Sequence, residues 1–219
     1  MTLFPLDSTA DFNNAAVSHL QEGNYCAAVW DLDKALQSLY SLWKTENKFL
    51  VTTESREVIR VKSVPIAPSS TSNVNQNIFD FYRRAFQIVS VGGHEHIHSI
   101  SSLIVVKFNL AIAYHDDAVR RSYRSHFGRA LELYEDILWL MKEHGIKGHM
   151  LLLMAIGNNL GHIHSHFLNY SQTREALYWV RQLTIECGRN SNVPHEDYTF
   201  FYKIVTIFHG NDLNVAPAA

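Results

Sequence analysis

The chain has 219 residues, 47% of them hydrophobic and 18% charged, with a formal net charge of −2. This composition excludes an intrinsically disordered chain, and the length suits one domain with a sizeable core. The near balance of charge offers no general attraction to nucleic acid or to an anionic membrane, so neither is expected as a partner.

The opening residues, through Phe12, lack a basic segment and a long apolar run, so no secretory signal is expected there. Their short Leu3-Phe4-Pro5-Leu6 patch is suited to docking on the first helices. A first helix is predicted from about Ser8, an N-cap residue, with Asp11 favourable in the first turn. Phe12, Ala15, Ala16, His19 and Leu20 make its apolar stripe, and Gly23-Asn24 ends it. A second helix then runs to about Lys44 with Ala28, Leu32, Ala35, Leu36, Leu39 and Leu42 on one face. The alanines allow close approach of the two helices.

Part of this pattern returns twice. Asn14-x-Ala16-x-x-His19 is echoed by Asn109-x-Ala111-x-x-Tyr114 and Asn159-x-Gly161-x-x-His164. Each is followed at a distance by a second echo: Ala28…Leu32…Ala35-Leu36, Ala130…Tyr134…Ile137-Leu138 and Ala176…Val180…Leu183. A two-part motif repeated three times is the mark of a stacked helical array. The units resemble the tetratricopeptide repeat, fully in the first unit and degenerately in the other two, over roughly half of the chain.

The resemblance implies an all-α fold: a right-handed α-solenoid of about three helical hairpins in one domain over 1–219. Repeat one spans 8–46, repeat two 99–144 and repeat three 148–188. A capping helix follows over 193–210, where Pro194, Glu196, Asp197 and Gly210 supply start and stop signals. Between the first two repeats, residues 49–92 are read as an inserted hairpin or loop. Val51 to Val64 and Phe79 to Val89 are rich in β-branched and aromatic residues, around a Pro/Ser/Asn tip at about 67–76. The polar stretch from His115 to His126 exceeds a standard turn by about two helical turns, and is expected to project into solvent.

Chemistry-bearing clusters are few. His94, His96 and His98 fall on alternate positions but lack an obvious further ligand, and His162 and His166 lie one helical turn apart. Ile163 stands where a zincin would need its catalytic Glu. No nucleophile motif or phosphate-binding Gly-rich loop occurs, and Cys26 and Cys187 read as reduced structural thiols. No enzyme activity, metal or cofactor is therefore expected.

The resemblance implies instead a non-enzymatic adaptor that binds a peptide or protein segment in a concave groove, and the reduced thiols suit a cytoplasmic or nuclear protein. Its groove-facing side chains would be Asn13, Asn14, Val17, Phe108, Asn109, Ile112, His115, Asn158, Asn159, His162 and His166. Asparagine suits the task, because one side-chain amide bonds both the N–H and the C=O of an extended ligand. The alternatives are a self-associating protein, homo-oligomeric through its own segments, and a histidine-based metal binder.

Overall fold

A computed structural model of the chain describes residues 8–46, 60–66, 80–89, 100–146, 149–190 and 193–211. The chain forms two compact units: Met1–Thr71 with Arg83–Ile146, and Ser72–Tyr82 with Lys147–Ala219. The described residues contain seven helices and one two-stranded antiparallel sheet. None of these helices is long and apolar enough to cross a membrane.

In the first unit, α1 (Ser8–Glu22) and α2 (Tyr25–Glu46) form a helical hairpin. Its turn works because Gly23 takes φ 76°, a left-handed conformation that costs glycine little. The N–H of Asn24 then closes on the His19 carbonyl at 2.8 Å, while the Asn24 side chain accepts from the N–H of Ala27 at 3.3 Å. Ala16, Val17 and Leu20 meet Ala28, Leu32 and Ala35 in a core where all six are fully buried. The buried stripe of α1 is rotated from the expected one: Ala15 is exposed, and Asn13 and Val17 lie inside.

β1 (Arg60–Pro65) and β2 (Arg84–Val89) pair antiparallel, from Arg60 opposite Val89 to Pro65 opposite Arg84. An antiparallel pair of strands is thus present within the expected inserted hairpin. Phe81 and Tyr82 precede β2 outside the strand pairing, and the expected tip at 67–76 and Val51 to Ile59 lie outside the described residues.

α3 (Ile100–Arg121) and α4 (Arg124–Glu143) form the second helical hairpin. Here the expectation of a solvent-projecting insertion is corrected. Helix α3 continues through the polar run, Asp116 and Asp117 are buried, and the turn is only Ser122-Tyr123, with Ser122 at φ 57°. The acids tolerate burial because they are paired. Asp116 receives Arg83, Arg120 and the Tyr25 hydroxyl, and Asp117 meets Arg121 and His126, each at 2.8 Å.

The second unit contains α5 (Met150–His166), α6 (Tyr170–Asn190) and α7 (His195–Asn211). Helices α5 and α6 approach closely at Gly157, where an added Cβ would lie 2.9 Å from both Trp179 and Val180. Gly161, the small residue in register with Ala16 and Ala111, is buried as well. Helix α7 packs on α6, with Ile204 against Leu177 and with Phe200 and Phe208 beside them. Its buried side is Asp197, Phe201 and Ile204, and Tyr202 and Lys203 face outward.

Candidate functional site

A strand directs the N–H and C=O of alternate residues to opposite edges. In β2 the parity is set where the N–H of Ile66 donates to the Arg83 carbonyl at 3.2 Å, so Ala85 and Gln87 turn toward β1. Phe86 and Ile88 therefore direct their polar groups to the other edge, which has no neighbouring strand among the described residues. Buried backbone groups there need partners from elsewhere.

Asparagines supply them. Asn109 on α3 accepts from the N–H of Phe86 at 2.8 Å and donates to its carbonyl at 2.8 Å. Asn14 on α1 does the same to Ile88, with both bonds at 2.9 Å. Asn13 donates to the Phe86 carbonyl at 3.0 Å and accepts from Asn109 at 2.8 Å, which holds the Asn109 amide in the required orientation. The second unit repeats the device. Asn159 on α5 accepts from the N–H of Tyr82 at 2.7 Å and donates to its carbonyl at 3.3 Å, while Asn158 donates to the Asp80 carbonyl at 3.1 Å.

The three bidentate asparagines, Asn14, Asn109 and Asn159, are the three that open the repeated motif. Each of them bonds the N–H and C=O of one residue of the chain's own extended polypeptide. Side chains of the segment fill what surrounds it. Phe86 lies 5.0 Å from Phe108 between ring centroids, and Phe108 lies 5.9 Å from Tyr134. Tyr82 stacks on Phe201 at 5.0 Å and donates its hydroxyl to Asp197 at 2.8 Å.

The other expected groove residues divide into core and rim. Val17, Phe108, Ile112 and His115 are fully buried, so they are core side chains in this structure and not walls of an open groove. His115 stands edge-on to Phe127 and Tyr134. His162 is nearly buried with its ring 5.1 Å from Phe81 and 5.1 Å from His166. His166 lies at the exposed end of α5, where partial desolvation lowers its pKa. No group of three or more His, Cys, Asp or Glu placed to hold a metal occurs among the described residues, and His94 to His98 lie outside them.

Sequence reasoning missed the cluster on Asp116. Tyr25 opens α2, Arg83 precedes β2, and Asp116 and Arg120 lie one turn apart on α3. The fully buried Asp116 carboxylate thus links three elements of the first unit. Burial and the bond to Asp116 raise the pKa of the Tyr25 hydroxyl, so it stays a donor. The sequence signal was the i, i+4 pair Asp116 and Arg120; nothing in the sequence pointed to Arg83.

No family model, curated protein or solved structure matches this chain.

Proposed function

We propose that the chain is a helical-repeat scaffold for protein association that holds extended polypeptide by its backbone, with its own segment as the standing occupant. The observation that carries this reading is the bidentate bonding of Asn14, Asn109 and Asn159, each to the N–H and C=O of one residue. Such bonding serves polypeptide recognition and supplies no reactive group, so the reading is of a binding module. In it the three helical hairpins stack as a right-handed solenoid with the asparagine-bearing helices innermost.

The occupant is covalently attached, and short tethers correspond to roughly millimolar effective concentrations. A free partner competes poorly against it, so the groove is tested with the occupant removed. Residues 60–89 are replaced by a short Gly/Ser linker, and a labelled peptide of residues 80–89 is added in trans. Saturable binding is expected, or a gain of helical circular dichroism on peptide addition if the shortened chain is loosely folded. Either response is expected to weaken when Asn14 and Asn109 are both changed to Ala. A peptide that neither binds nor restores helicity overturns the reading.

A further inference from the structure

A second feature of the first unit stands apart from the asparagines. Lys107 and Asn109 are two positions apart on α3, so they point roughly 200° apart around the helix. Asn109 meets β2, whereas Lys107 lines a cleft of about 320 Å³ between α2, α3 and α4. The volume falls at the small end of the range of small-molecule sites.

The cleft contains unlike surfaces at close quarters. Leu36, Leu110 and Leu133 give it apolar lining, and Tyr40 forms part of the wall. Lys107 is only 8% exposed, yet its ammonium has three donors and bonds one carboxylate, Asp136, at 2.7 Å. A nearly buried ammonium with donors to spare is costly unless an acceptor meets it. Arg129 also lines the cleft, and its guanidinium donates to Glu132 at 3.0 Å.

Asp33 is the third lining carboxylate, at an exposed position, and Arg129 is the cation whose charge reaches it. Burial raises its pKa, partly offset by Arg129, so a cationic group beside it would stabilise the charged form. The cleft thus presents a nearly buried ammonium with donors beyond its bond to Asp136, an exposed carboxylate, and leucines beside them.

We infer that this cleft binds a small zwitterion with an aliphatic body, of the class of a free apolar α-amino acid. The ligand carboxylate bonds Lys107, its ammonium faces Asp33, and its side chain lies on the leucines. A simple cation would leave the spare donors of Lys107 unused, and a simple carboxylate would be repelled by Asp33, Glu132 and Asp136.

Isothermal titration of the full chain with L-leucine, butylamine and butyrate tests this. L-leucine is expected to bind saturably and at least about tenfold more tightly than either half-probe, since each half forfeits one charge-assisted contact. Lys107→Gln and Asp33→Asn are each expected to weaken L-leucine by about tenfold or more. The Asp33→Asn change is at an exposed position and is expected to spare the fold, which keeps the test decisive if Lys107→Gln unfolds the chain. Three results overturn the inference: no saturable heat with L-leucine at millimolar concentration, affinity indifferent to Asp33→Asn, or butylamine binding as tightly as L-leucine.

Discussion

Asn109 makes three hydrogen bonds from a fully buried side chain, two to Phe86 and one to Asn13. In Asn109→Ala the Phe86 carbonyl keeps its bond from Asn13, but the Phe86 N–H is left buried without a partner. An orphaned buried donor costs about 1–3 kcal/mol, and the lost bonds add to that, so a destabilisation of about 2–4 kcal/mol is expected. Asn14 sits at a half-exposed edge where water can replace it, and Asn14→Ala is expected to cost only about 1 kcal/mol. Urea unfolding followed by circular dichroism measures both, and equal costs would contradict the difference in burial. Histidines give a pH dependence at the same scale. Burial lowers the pKa of His149, which stands at the N-cap of α5. Below its ordinary value of about 6.5 the unfolded chain takes up a proton that the folded chain resists. The stability contributed at neutral pH is therefore expected to fall as pH drops through 6.5 toward the lowered folded value. His149→Gln is expected to flatten that part of the curve, as urea unfolding at a series of pH values would show.

Helices α1 and α2 were legible because their signals are local: a glycine turn, small residues at the crossing, an unbroken apolar face. The hairpin was legible in kind, since β-branched residues flank a Pro/Ser/Asn break. What stayed hidden at this scale was pairing between distant residues. Asp116 and Asp117 read as solvated because a polar run gives no sign that Arg83, 33 residues away, will meet it. The asparagines read as open to a ligand because nothing in a sequence says that the ligand is already present. The hairpin also guards its own edge. The parity that turns Phe86 toward Asn109 turns Ser63 and Pro65 outward on β1. Pro65 has no N–H to offer, and Arg84 covers Ser63, donating to its hydroxyl at 2.6 Å and its carbonyl at 3.1 Å. Such devices discourage edge-to-edge association. Pro65→Val with Arg84→Ser is expected to promote dimers or larger species, read by light scattering; a strictly unchanged mass would show that the edge was never at risk.

Each of the two units is assembled from discontinuous stretches of chain. The second includes Tyr82, whose backbone bonds Asn159, whose hydroxyl bonds the buried Asp197, and whose ring stacks on Phe201. A polypeptide spanning 147–219 lacks Asp80 and Tyr82 and would cost Asn158, Asn159 and Asp197 the bonds made to them. It is expected to show weak helicity alone and to gain helix when a peptide of residues 72–83 is added. Full helicity without the peptide would show that α5 to α7 are self-sufficient. The division into units was not legible in the sequence, because helix periodicity reports which residues are buried and not which unit buries them.

The bidentate asparagines also make three backbone amides into reporters. In an ordinary sheet the slow exchange of an amide proton with solvent deuterium reflects a neighbouring strand. At Tyr82, Phe86 and Ile88 the acceptor is a single side-chain oxygen, from Asn159, Asn109 and Asn14 respectively. Exchange at each position therefore reports the opening of one named asparagine clamp, and the three lifetimes give the order in which the helices release the segment.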